Sequence, residues 1–180
     1  MKKMIIGAVV GGLILFFWQF VAWGLTNLHY SNMQYSPNQD KIIAALSEHL
    51  TEDGTYFVPR ATPDAGMEEA EALGAKMMGK PWALVSYRKS YNMSMPLNMT
   101  RGLIINIVSI LLLCWILLKI PDLDFMTTFL SSLFVGLIGY FSISYIDSIW
   151  FEINSIPYLI DATVQFGICG AWLGWWLPRK

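Results

Sequence analysis

Charge is what this sequence has least of. Only 14% of its residues are Asp, Glu, Lys or Arg, while 55% are hydrophobic; soluble domains carry about 25% charged residues. That shortage excludes an ordinary soluble domain wrapped in a charged surface. It is also uneven: charges are sparse in four blocks and gather between residues 36 and 101. An excess of one sign is missing too. The net charge is −1, so the basic footprint of a nucleic-acid binder is not there, and no nucleic-acid partner is expected. Cysteine is scarce, and Cys114 and Cys169 both lie in apolar runs, which argues against a disulfide framework and for buried thiols. The sequence contains no G-x-S-x-G, P-loop, C-x-x-C or H-E-x-x-H pattern. It therefore leans away from catalysis, and no cofactor is expected.

Long apolar runs are abundant. A membrane-crossing helix needs about 20 mostly apolar residues, and four segments qualify: 4–28, 102–120, 125–146 and 157–177. For the first, Met1-Lys2-Lys3 would also serve a cleaved signal peptide, with Ala22-Trp23-Gly24 as a poor cleavage site. Its apolar run exceeds the roughly 7–15 residues of a signal-peptide core, however, and ends in bulky aromatics, so it is read as a retained helix. Arg101 and Lys119 flank the second run and can reach outward along their stems. Asn154 or Ser155 can cap the fourth, where Pro157 suits a first turn. The fold class expected is an α-helical integral membrane protein: four transmembrane helices with a small α/β extracytoplasmic insert between helices 1 and 2.

Orientation follows from the basic residues. With four crossings, Lys2, Lys3, Lys119, Arg179 and Lys180 share one side, while the short loop 147–156 on the other side has no Lys or Arg. The positive-inside rule places both termini in the cytoplasm. The insert, 29–101, and the 147–156 loop then face outward, into the periplasm if the membrane is a bacterial inner membrane. Trp172, Trp175 and Trp176 read as an interfacial belt on the inner side, and Trp150, Tyr145 and Tyr158 as one on the outer side.

Within the insert, Ser36-Pro37-Asn38-Gln39 reads as a helix start, with Ser36 as cap and Pro37 at the first position. Ile42, Ile43, Leu46 and Leu50 form its apolar stripe. Residues 55–58 and 82–87 read as strands, separated by a helix over 67–78 that Gly79 closes. A crossover of this kind predicts parallel strands. Two strands alone are marginal, so the insert is expected to lean on the bundle or on a partner.

Several short pieces carry a resemblance: Trp18 and Trp23 leading to His29, Gly54-Thr55-Tyr56-Phe57-Val58-Pro59, Lys80-Pro81-Trp82-Ala83, Trp150-Phe151, Pro157-Tyr158 and Asp161. On these the chain resembles an uncharacterised group of small bacterial inner-membrane proteins with one N-terminal span, a periplasmic insert carrying a G-x-Y-x-x-P stretch, and three further spans. The resemblance implies architecture and assigns no role to any residue.

Ionisable and polar residues in apolar helices mark the places to look for function. Measured from the outer ends at about 1.5 Å per residue, Gln19, Asn106, Ser142 and Asp161 fall in one layer, with Gln165 a turn deeper. His29, Arg101, Asp147 and Glu152 sit at the same rim. Asp161 is either a proton, ion or substrate contact, or a helix-terminus carboxylate that holds the insert. His29 with Asp147, Glu152 and Asp161 lacks metal-ligand spacing, and Met93, Met95 and Met99 pack irregular surfaces more readily than they bind copper; no metal is expected. Glu68, Glu69 and Glu71 read as a solvated helix face. Small residues at i, i+4 spacing let helices approach closely: Gly7 and Gly11 in the first span, Ser132 and Gly136 in the third, and Thr163, Gly167, Gly170 and Gly174 in the fourth.

These features point to an accessory, assembly or envelope-maintenance role through contacts with the bilayer, with another membrane protein or with a second copy. A small oligomeric transporter or channel using the polar layer around Asp161 is the alternative. An enzyme acting on a lipid-linked substrate at the periplasmic rim ranks third.

Overall fold

The computed structural model describes residues 1–179; Lys180, half of the expected basic C-terminal anchor, lies outside the described residues. The chain divides into two compact units, residues 1–34 with 93–179, and residues 35–92.

The first unit holds four helices long and apolar enough to cross a membrane: Lys2–Leu25, Met95–Leu117, Phe125–Phe151 and Ile156–Trp176. Their boundaries depart from the apolar runs for physical reasons. The first ends at Leu25, where Thr26 turns extended. The second, α4 (Met95–Leu117), starts well before Gly102 because Pro96 fits a helical first turn. Residues 95–101 are therefore helix and do not belong to the insert. The third does not stop at Ile146. Helix α5 (Phe125–Gly139) widens into a π turn over Tyr140–Tyr145 and continues as α6 (Ile146–Phe151). Asp147 thus sits on a helix rather than in a loop. A polar side chain does not stop a helix; the left-handed Glu152, with φ of 52°, does. The connection between the third and fourth spans shrinks to 152–155.

Helix α1 (Lys2–Phe20) packs against α4 and α7 (Ile156–Trp176), and α7 packs against α5. The core is apolar and lies between α1, α4 and α7, formed by Leu15, Ile110, Leu113, Cys114, Leu117, Cys169, Leu173 and Leu177. Glycines set the spacing. A Cβ at Gly12 would stand 2.7 Å from the Ile107 Cα, one at Gly11 2.7 Å from Ile110, and one at Gly136 2.5 Å from Phe166. A Cβ at Gly170 would meet Ser132 at 2.9 Å, and one at Gly174 the Phe125 carbonyl at 2.9 Å. Gly7 is close to Cys114, Leu173 and Trp176. Gly167, expected on a packing face, has open space before it, and Thr163 is exposed. The face of α7 that meets α5 runs through Phe166, Gly170 and Gly174, so Gly170 and Gly174 of the small-residue spacing read from the sequence lie on it and Thr163 and Gly167 do not. On the outer faces Ile104, Leu112, Trp115, Phe134 and Ile138 stand exposed, the all-round apolarity of helices made for lipid. At the C-terminal end of α7 Trp172, Trp175 and Trp176 cluster; the Trp176 indole donates to the Lys3 carbonyl at 2.9 Å, and the Arg179 guanidinium lies 3.2 Å over the Trp175 ring.

The second unit runs α2 (Gln39–His49), β1 (Gly54–Val58), α3 (Met67–Met77), β2 (Ala83–Tyr87). Helix α2 begins later than the Ser-Pro signal placed it. Ser36 and Pro37 form a preceding turn in which the Ser36 hydroxyl accepts from the Asn38 N–H. The strands are antiparallel, not parallel, with Val58 opposite Ala83 and Gly54 opposite Tyr87. The connection leaves and re-enters at the same end of the sheet. Residues 59–66 can extend over about 26 Å, more than the roughly 16 Å of an eleven-residue helix, which is reach enough for loop and helix together to return the chain to the end it left. No net crossover remains. Tyr87 is the only buried side chain between residues 35 and 92, and its hydroxyl meets Ser47 of α2 at 3.3 Å.

Candidate functional site

The site is built where α1 ends and α7 begins. The π turn at Val21–Leu25 closes with the Thr26 N–H donating to the Val21 carbonyl at 3.0 Å, while the Thr26 hydroxyl caps back onto the Ala22 carbonyl at 2.9 Å. A tight turn follows: Tyr30 N–H donates to the Asn27 carbonyl and Asn32 N–H to that of His29. This reversal lays residues 29–32 against the start of α7. The Asn32 amide donates to the Asn154 carbonyl at 3.0 Å, and the Asn154 amide to the Ser31 hydroxyl at 3.1 Å. Asn154 also accepts from the Ile156 N–H at 3.1 Å, covering one orphan donor of α7.

That reversal delivers His29 to Asp161. The imidazole Nε2 lies 2.9 Å from one carboxylate oxygen, and the Trp18 indole N–H donates to the other at 2.8 Å. Both oxygens are thus engaged. His29 is 2% exposed and Asp161 13%. The Trp23 ring stacks on His29 at 4.0 Å and 3°, and Tyr158 meets it edge-on at 5.3 Å. An ionised carboxylate only accepts, so the hydrogen of this bond sits on Nε2. Nδ1 is buried and has no hydrogen-bond partner among the described residues.

A second polar pair lies beside the first. Gln19 and Asn106 exchange amide hydrogen bonds across α1 and α4, at 2.8 and 3.3 Å. Gln165 is buried one turn along α7 from Asp161.

The other residues expected at the rim are elsewhere. Ser142 is exposed and returns its hydroxyl to the Ile138 carbonyl. Arg101, Asp147 and Glu152 are exposed, and the one close pairing of a basic with an acidic side chain among the described residues is His29–Asp161. No group of three or more His, Cys, Asp or Glu among them is arranged to hold a metal. Trp18, Trp23 and Tyr158 complete the site. The signal for Trp18 was chemical: a carboxylate in an apolar helix needs donors, and an indole N–H offers one in an otherwise apolar segment.

Comparison with known protein families, curated proteins and solved structures finds no match to this chain.

The arrangement can do two things. It clamps: one carboxylate gathers α1, the reversal after it and α7 through two charge-assisted bonds, the stronger class of hydrogen bond. It also pairs an imidazole with a carboxylate inside a set of membrane-type helices. Candidate nucleophiles do not join it: Ser31 bonds Asn154, Ser155 bonds Tyr140, and Cys114 and Cys169 lie in the apolar core.

Proposed function

We propose that this chain is an accessory protein of a bacterial inner membrane, serving assembly or envelope maintenance through contacts with lipid or protein rather than by catalysis. Its termini lie in the cytoplasm and residues 35–92 in the periplasm. The distribution of Lys2, Lys3, Lys119 and Arg179 supports that orientation. One observation carries the contact role: between residues 35 and 92 a single side chain, Tyr87, is buried, while Ile42, Ile43, Trp82 and Leu84 stand exposed. A unit with so little core of its own gains stability from what it touches. The polar groups of the helical unit, by contrast, are spent on one another, as a clamp requires. Affinity purification from native membranes in mild detergent tests this. A reproducible companion, protein or lipid, is expected; a monodisperse lone monomer stripped of lipid refutes it. Cysteine labelling at position 60 from the cytoplasmic side refutes the orientation.

The buried His29–Asp161 pair supports a second reading, a small oligomeric transporter that moves protons or a cation past it. In that case Asp161→Asn abolishes flux in proteoliposomes without unfolding the protein; flux that survives the substitution rules it out.

A further inference from the structure

The carboxylates of this chain stop at Glu71 and resume only at Asp122. Within residues 35–92 the charge is therefore split. Residues 35–71 carry eight carboxylates against Lys41 and Arg60, while residues 72–92 carry Lys76, Lys80, Arg88 and Lys89 and no carboxylate. The sheet register turns this into geometry. At the Gly54–Tyr87 end, the Arg88 guanidinium donates to the Gly54 carbonyl at 3.2 Å, and the Lys89 backbone N–H, not its ammonium, donates to Asp53 at 2.8 Å. At the Val58–Ala83 end, Arg60 follows β1 by two residues and Lys80 precedes β2 by three. Arg60 and Lys76 line one open groove of about 380 Å³ between residues 60–62 and α3, floored by Ala61, Ala72 and Leu73. Glu69 shares its wall, yet neither it nor any other carboxylate among the described residues pairs with Arg60, Lys76 or Lys80.

Apolar side chains alternate with Lys76 and Lys80 along the chain. Met78, 82% exposed, precedes the left-handed Gly79, with φ of 74°. Trp82 and Leu84 alternate onto one face of β2 and are 40% and 41% exposed. Trp82 stacks on Phe57 at 5.2 Å. Three cations without acidic partners, two of them interleaved along the chain with Met78, Trp82 and Leu84, is the composition of a segment that sits at lipid headgroup level. The unit is also joined by short chain segments to membrane-type helices at both ends: Gln34 follows α1, and Asn92 stands three residues before the start of α4.

We infer that this end of the insert, Arg60, Lys76 and Lys80 around Met78 and Trp82, docks onto the anionic phospholipid surface of the leaflet that α4 enters. The inference rests on the contact role proposed above and names the contact. The cations meet headgroup phosphates, and Met78, Trp82 and Leu84 enter the layer beneath.

A spin label at Met78→Cys tests it in the full chain, since Cys114 and Cys169 are fully buried and stay unlabelled. In nanodiscs of phosphatidylcholine containing phosphatidylglycerol, the label is expected to be shielded from an aqueous nickel chelate and open to oxygen. In phosphatidylcholine alone it is expected in water. Each cation near an anionic surface strengthens binding about fivefold, so Arg60→Gln with Lys76→Gln and Lys80→Gln weakens it roughly a hundredfold and returns the label to water. The exchange Arg60→Lys, Lys76→Arg, Lys80→Arg keeps it shielded. Raising salt from about 50 to about 500 mM releases the unsubstituted insert, which reads the charge dependence without any change of sequence at the three cations. A label at Glu48→Cys on α2 stays in water throughout. Equal exposure of the Met78→Cys label in both bilayers overturns the inference, and so does equal shielding in both or indifference to salt. A companion protein recovered from native membranes alongside any of these results leaves the contact role standing while the lipid surface falls.

Discussion

Asp161→Asn removes one charge and almost no volume, which makes it a clean probe of the clamp. The carboxylate now accepts from the Trp18 indole and from His29. Hydrogen bonds to a charged group contribute about 1.5–3 kcal/mol each and neutral ones about 0.5–1.5, so neutralising the acceptor costs about 2 kcal/mol over both. The amide cannot accept twice in the same geometry. If its oxygen faces Trp18, its NH2 faces Nε2 of His29, and the imidazole must move its hydrogen to Nδ1. That nitrogen is buried without a partner, and a stranded donor adds about 1–3 kcal/mol. The expected loss is therefore about 3–5 kcal/mol, large against the 5–15 kcal/mol that holds most domains folded. Unfolding in mixed micelles of rising dodecyl sulfate fraction, followed by circular dichroism, measures it. Trp18→Phe and His29→Ala should each couple to Asp161→Asn by more than about 1 kcal/mol in double-mutant cycles. A loss below about 0.5 kcal/mol with additive cycles refutes the clamp and transfers the weight of Asp161 to transport.

Other consequences follow from the packing and the caps. Gly136→Ala and Gly170→Ala force contacts at 2.5 and 2.9 Å and should each cost about 1–3 kcal/mol by overpacking, whereas Gly167→Ala, facing open space, should leave the same unfolding curve unchanged or slightly higher. Asn106→Leu strands the Gln19 amide and should cost about 1–2 kcal/mol; adding Gln19→Leu should recover most of it, and a further loss in the double variant contradicts the pairing. Asp124 caps α5 by accepting from the Thr127 N–H at 2.7 Å, and that bond holds its carboxyl below the ordinary range. Its contribution is then present above the ordinary carboxylate range and lost as pH falls through the lowered value. The Thr127 amide shift, followed by NMR, should titrate below the range of an unperturbed Asp and lose that inflection in Asp124→Asn.

The architecture was legible because lipid imposes a simple demand. A span must be long, apolar and helical, and each of these shows in a one-dimensional pattern. Helix ends were less legible. Asp147 looked like a loop residue because it is charged, yet the helix runs on to Glu152, since backbone conformation rather than polarity ends a helix. The small-residue faces showed a similar split. Gly7, Gly11, Gly170 and Gly174 do meet neighbouring helices, while Gly167 does not, because which glycine is needed depends on the rotation of α7 against α5.

What the sequence alone determined is local: four lipid-compatible helices, a polar insert between the first two, and an acidic residue where an apolar helix tolerates none without a partner. It could not supply the partner. His29 reaches Asp161 only because the chain reverses after a π turn and is pinned by Asn32, Asn154 and Ser31. The strands run antiparallel because the connection through α3 returns to the end of the sheet it left. Both outcomes depend on closing the chain over distances that no local pattern records, and so tertiary structure decided them.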